Sequence, residues 1–222
     1  MNVLAISAHP DDETLGCGGT LLKHREAGDD IYWLIATQAY QPRWSSELVD
    51  LKAQEVSKVA SEYGIKRKFE LGFQATSLDN VMQDQLMVKI REVISEVAPE
   101  SVYLVHGGDI HSDHQSVFSA TTSVLKPFNM SKLGVRRVVS YECLSSTEGS
   151  PPFLASAFVP NIFNDITPYI DYKVRIMETY STEIHSGAMP RTSSAIRALA
   201  RFRGATVGVE YAEAFMLIRA LE

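Results

Sequence analysis

The stretch Asn2-Val3-Leu4-Ala5-Ile6-Ser7-Ala8-His9-Pro10-Asp11-Asp12-Glu13 decides how the rest of the chain is read. Its first half is short, continuously apolar and ends at a polar loop, the pattern of a strand buried on both faces of a parallel sheet. Its second half crowds one histidine and three carboxylates against the end of that strand. Like charges held so close repel unless a cation or a proton joins them.

Working outward, the same alternation recurs. Gly16-Cys17-Gly18-Gly19 reads as a tight turn, with a helix expected from about residue 20 to 27 and Gly28 as its terminating glycine. Strands are expected over residues 31–37, 68–73, 101–105 and 135–141. Helices are expected over 45–63 (closed by Gly64), 81–98 (ended by Pro99) and 113–125. Beyond Leu144 the pattern weakens to an edge strand near 162–166 and helices over 170–180 and 193–202. A final segment, 207–218, is readable as strand or helix. Alternating strands and helices imply an α/β fold, a doubly wound, mostly parallel sheet with helices on both faces, in a single domain spanning 1–222. In such sheets ligands bind beyond the carboxyl ends of the strands. A second polar cluster, His106-Gly107-Gly108-Asp109-Ile110-His111-Ser112-Asp113-His114, follows the fourth strand directly, so both clusters are expected at one sheet edge.

Bulk properties narrow the function. The 222 residues are 45% hydrophobic and carry a formal net charge of −6, which argues against a nucleic-acid-binding surface. No apolar run is long enough to span a bilayer, and the first residues lack the basic region and apolar stretch of a signal peptide. Cys17 and Cys143 are therefore expected to be reduced thiols in a cytoplasmic protein. A homo-oligomer is compatible with the sequence.

Histidine and aspartate are donors suited to a zinc-type ion, and a catalytic site of that kind keeps three protein ligands and a place for water. Adjacent side chains on an extended loop diverge, so in Asp11-Asp12 one carboxylate can ligate while its neighbour serves as general base. His111 and His114 can both ligate, or one can ligate while the other donates to a developing oxyanion. Leu21 stands where a dinucleotide fingerprint needs its third glycine, which removes the nucleotide reading of Gly16–Gly19.

The motif from Ala8 to Glu13, followed by Leu15-Gly16-Cys17-Gly18-Gly19, then Gly108-Asp109-Ile110-His111-Ser112-Asp113-His114 and the late Gly208-Val209-Glu210-Tyr211-Ala212-Glu213-Ala214-Phe215, resembles the PIG-L/LmbE family of zinc-dependent N-acetyl-sugar deacetylases. The resemblance implies a Rossmann-like fold and one Zn2+ per chain, with other divalent ions able to substitute, held by His9, Asp12 and His114. It implies Asp11 as general base, His111 as the group stabilising the tetrahedral intermediate or assisting proton transfer, and Asp113 as the partner of His111. The substrate it implies is a small-molecule or glycoconjugate amino-sugar of the N-acetylglucosamine type. Lys52, where the family often has arginine, is expected to border the substrate with Asp109. Tyr40 and Trp44, in the loop after the second strand, are readable either as a sugar-stacking rim or as packing, and Glu210 and Glu213 as partners of substrate hydroxyls. His106 is readable as a replacement for His111 near the metal, but is expected behind the metal ligands at the end of its strand. The Pro-Asp-Gly often found after the family's third strand is replaced here by Gln74-Ala75-Thr76. A metal-dependent phosphoesterase is a competing reading, but the chain offers neither the extra ligands of a two-metal centre nor a basic phosphate clamp. An inactive sugar-binding relative would be expected to have lost Asp11 or a ligand.

Overall fold

The computed structural model describes residues 1–222. In chain order the elements are β1 (Asn2–Ser7), α1 (Asp12–Glu26), β2 (Asp30–Gln38), α2 (Ser46–Tyr63), β3 (Arg67–Gln74), α3 (Gln83–Val97), β4 (Ser101–Val105), α4 (Ser112–Val124), the short α5 (Pro127–Met130), β5 (Arg137–Tyr141), β6 (Ile162–Asp165), α6 (Ile170–Thr179), α7 (Ser193–Val207) and β7 (Ala212–Ala220). The sheet has the order β3-β2-β1-β4-β5-β7-β6. Strands β1 to β5 run parallel, while β7 is antiparallel to both neighbours. Helices α1, α2, α6 and α7 pack among themselves, and α3 packs with α4, giving the two helical groups of a doubly wound fold.

The chain runs outward from β1 through β2 to β3, then returns to place β4 on the other side of β1. Val3 is accordingly in register with Ile31 of β2 and with Ser101 of β4. The carboxyl ends of β1 and β4 thus lie side by side at the reversal of strand order, where an open sheet leaves a crevice. All of β4, and all of β1 but Asn2, is buried, as uninterrupted apolar runs require. Local signals end the helices as expected: the Ser45 side chain accepts the Leu48 N–H at 3.3 Å, and Gly64 closes α2 at φ +67°. The late segment resolves as strand β7.

The glycine cluster is a correction. The helix begins at Asp12, eight residues before the expected start, and takes in Gly16, Gly18 and Gly19. These glycines serve close packing rather than a turn. A Cβ on Gly16 would lie 2.0 Å from the Tyr141 ring, one on Gly18 2.4 Å from the Tyr63 hydroxyl, and one on Gly19 2.7 Å from Ile166. The helix breaks at Cys17 (φ −137°, ψ 15°). Backbone groups freed at a break need partners. Glu213 supplies them by accepting the N–H groups of Gly19 and Thr20 at 2.7 and 2.8 Å, while Lys173 donates to the Leu15 carbonyl at 2.9 Å and to Glu213 at 2.7 Å. Both charged side chains are buried. Removing one partner of such a pair leaves an uncompensated buried charge. Lys173→Met is therefore expected to cost about 3–5 kcal/mol in a denaturant titration, with part of the loss recovered in the Lys173→Met/Glu213→Gln double variant.

Candidate metal centre and active site

The loop from β1 into α1 is held in an unusual conformation. Asp11 adopts φ +106°, in the region that favours glycine. Such a residue costs on the order of 1–3 kcal/mol and persists only where its surroundings impose it. Here the Asp11 N–H donates to Glu13 Oε2 at 3.2 Å, and Glu13 Oε1 accepts the hydroxyls of Thr14 and Tyr180 at 2.6 and 2.9 Å. Both the N–H and the hydroxyl of Thr37, near the end of β2, donate to the Ala8 carbonyl. Glu13 thus supports the loop, and burial pushes its carboxyl up to about 7.

Two histidines converge on Asp12. His114, on the first turn of α4, has Nε2 3.3 Å from Asp12 Oδ1, and His9 has Nδ1 3.7 Å from Asp12 Oδ2. Each ring is fixed by a carboxylate at its other nitrogen: His114 Nδ1 lies 2.7 Å from Asp109 Oδ2, and His9 Nε2 lies 2.8 Å from Asp113 Oδ2. Those carboxylates are themselves pinned. Asp109 accepts the Thr147 hydroxyl at 2.6 Å, and Asp113 accepts the N–H groups of Thr76 and Leu78 at 2.6 and 3.0 Å. Ligand atoms of His9, Asp12 and His114 all lie within 4.8 Å of one another. A histidine whose second nitrogen is held by a buried carboxylate is the usual arrangement of a metal ligand, so these residues fit a divalent ion with three protein donors. Burial works to raise the Asp12 carboxyl, but the charge and hydrogen bond of His114, with His9, outweigh it and hold it well below the usual range. Burial disfavours charge on His114 too, yet Asp12 and Asp109 push it up to about 10. A cation bound by His114 and Asp12 would displace the proton held between them.

His111 caps α4. The backbone N–H of Asp113 donates to His111 Nδ1 at 3.2 Å, so in the neutral ring the proton sits on Nε2. Burial, then the neighbouring His9 and His114, lower His111 to about 4, which keeps it a neutral donor. Asp11, beside these groups, is raised well above the usual carboxylate range, first by burial and then by the Asp12 charge.

His9, Asp11, Asp12, His111 and His114 all line a cleft of about 330 Å³. Lys52 and Trp44 also line it. Tyr40 does not; it packs edge-on against Trp44 with ring centroids 5.6 Å apart. Four further expectations are corrected. Asp109 is fully buried behind His114 and makes no part of the cleft wall. Glu210 is exposed and lies 3.7 Å from Arg201, outside the cleft, while Glu213 braces α1. The Asp113 carboxylate hydrogen-bonds His9; it lies within 4.8 Å of a His111 ring nitrogen, but the only hydrogen bond from Asp113 to His111 is through the backbone N–H. His106 is buried against Phe118 and Phe158 with Nε2 3.0 Å from the Ser156 carbonyl. The sequence reading also missed Arg191, which donates to Asp11 Oδ2 at 2.8 Å across 180 residues, together with Glu55, Tyr180 and Glu183 in the cleft wall. No local spacing connects these residues to the motifs.

A doubly wound sheet with a His/Asp/His triad at its strand reversal, bordered by an unligated aspartate, defines an α/β protein with a candidate hydrolytic metal site. Residues 4–125 match the family described as PIG-L, GlcNAc-PI de-N-acetylase, and the chain belongs to that family. It is 24% identical over 97% of its length to the diacetylchitobiose deacetylase of Thermococcus kodakarensis, of which it covers 82%. It is 20% identical over 82% of its length to a probable N-acetyl-α-D-glucosaminyl L-malate deacetylase of Bacillus anthracis, covering 81% of that protein. Its fold superposes on the N,N'-diacetylchitobiose deacetylase of Pyrococcus horikoshii with a TM-score of 0.77 at 19% identity, over 98% of this chain and 84% of the other. No helix is long and apolar enough to cross a membrane.

Proposed function

We propose that this protein is a zinc-dependent N-deacetylase that removes the acetyl group of an N-acetylated amino-sugar of the N-acetylglucosamine type, releasing acetate and the free amine. The observation that carries the reading is the pairing of a carboxylate-braced His9/Asp12/His114 triad with Asp11, which lines the same cleft and ligates nothing in that triad. Bound zinc would supply Lewis acidity, lowering the pKa of a water to roughly 7 and polarising the acyl oxygen. Asp11 takes the proton of the attacking water as it adds to the acetyl carbon. The neutral His111 donates its Nε2–H to the oxygen on which negative charge builds. As the carbon–nitrogen bond breaks, Asp11 returns the proton to the departing amine, leaving acetate. Asp113 and Asp109 touch no substrate; they orient His9 and His114. Trp44 and Lys52 border the sugar.

A phosphoesterase is disfavoured by the cleft's own charges. Its two non-histidine cations, Lys52 and Arg191, are both engaged by Glu183, so no free phosphate clamp remains.

The test is acetate release from a panel of N-acetylglucosamine conjugates differing in the aglycone, run alongside metal analysis. At least one conjugate is expected to be turned over by protein holding about one zinc per chain, with activity lost on chelation and regained on adding zinc. Protein that binds no metal, or a zinc-loaded protein that releases acetate from no member of the panel, would overturn the reading.

A further inference from the structure

Besides its histidines, the cleft is lined by two cationic side chains, and one of them touches the proposed base. Arg191 lies in the segment between α6 and α7. Its Nη1 donates to Asp11 Oδ2 at 2.8 Å and to Glu183 Oε2 at 2.9 Å. The other oxygen of Glu183 receives the Lys52 ammonium, which also donates to Thr182 Oγ1 at 3.1 Å. The start of this segment is tied down by Glu55 of α2, a buried carboxylate that accepts the Ser181 hydroxyl at 2.6 Å and the Thr182 hydroxyl at 2.8 Å. Arg191 is therefore held at the cleft wall by a chain of charges running from α2, and its Nε is buried without a partner. No other cationic side chain lies in hydrogen-bond contact with Asp11.

The consequence falls on the Asp11 carboxylate. Its backbone N–H is held by Glu13 and its Oδ2 by Arg191, while Oδ1 makes no hydrogen bond within the protein. One oxygen is clamped and the other is left free in a residue that lines the cleft. Adjacent buried carboxylates at Asp11 and Asp12 would otherwise drive the Asp11 side chain to rotate away. A guanidinium suits the task because the two N–H groups of Nη1 are fixed in the plane of a rigid group and engage both carboxylates, which a lysine ammonium at the end of a flexible stem does less rigidly.

We propose that Arg191 is the positioning residue of Asp11, its guanidinium clamping Oδ2 so that Oδ1 meets the attacking water, with Glu183 and Lys52 holding the guanidinium in place. The proposal rests on the reading of Asp11 as the base. Arg191 contacts neither the ligand triad nor the reacting atoms. Its loss should slow the chemical step while leaving metal and substrate binding in place.

The test uses the full zinc-loaded chain and the panel conjugate that wild-type protein turns over best. Arg191→Gln is expected to lower kcat roughly 10–10²-fold, the scale on which misplacing a reacting group acts, with KM within about threefold and zinc content unchanged. Arg191→Lys should recover part of the loss. In Arg191→Ala, millimolar guanidinium should restore a measurable share of kcat, a response that a merely structural ion pair would not give. The proposal is overturned if Arg191→Gln keeps kcat within twofold of wild type, if the loss appears wholly in KM, or if neither lysine nor guanidinium restores any of it. Should Arg191→Ala not fold, the glutamine and lysine variants decide alone. If the wild-type chain itself releases no acetate, it is the deacetylase reading that fails, a result distinct from any of these.

Discussion

Asp11→Asn protein is expected to bind zinc at the wild-type level and to lose about 10²–10⁴-fold in kcat, the range that a general base contributes. Asparagine is nearly isosteric and can still accept from Arg191 through its amide oxygen, so the loop geometry should survive. What it cannot do is take a proton from water. The left-handed backbone at this position also tolerates asparagine better than most residues, which makes the substitution a clean probe of chemistry. Steady-state acetate release and metal analysis on the same preparation check it. A fully active Asp11→Asn variant would assign the base elsewhere, and a variant that loses zinc would make Asp11 a ligand.

The second large effect concerns the metal centre. His114→Ala removes one of three donors and is expected to abolish stoichiometric zinc binding and activity together. The more informative variant is Asp109→Asn, since Asp109 is buried behind His114 and reaches the cleft only through that ring. Loss of an orienting carboxylate of this kind typically weakens metal affinity by roughly 10–100-fold. Competition against a chromophoric chelator should show that shift, with activity regained at saturating zinc. Unchanged zinc affinity in Asp109→Asn would refute its orienting role. An activity loss that saturating zinc does not repair would instead put Asp109 in contact with substrate.

The parts legible in the sequence are those in which adjacent residues share one job. Apolar runs mark β1 and β4, and polar clusters at their ends follow without interruption, so the meeting of His9, Asp12 and His114 needed only neighbouring strands. The glycines of α1 were misread because a glycine permitting φ > 0 and one permitting close packing look identical in sequence; Tyr141, Tyr63 and Ile166, which press on them, are far away in the chain. Asp109 and Asp113 were visible as acids near histidines. Which ring each would hold depends on how α4 turns against β1, and no spacing encodes that. Glu210 and Glu213 sit three residues apart in one motif, yet strand β7 buries the second, while the first precedes it in an exposed turn. Arg191 carries no local signal at all; its role exists only through a contact across 180 residues.

The bond from Glu213 to the α1 backbone has a temporal side. It joins residues 194 positions apart in the chain. A protein made from its amino end can shape β1 and α1 early, but the break at Cys17 lacks its carboxylate until β7 has been synthesised and has inserted between β5 and β6. Contacts of such long range form late, because loop closure must be completed before they reward the chain. The helix that begins with Asp12 is thus among the first elements translated and among the last to be locked.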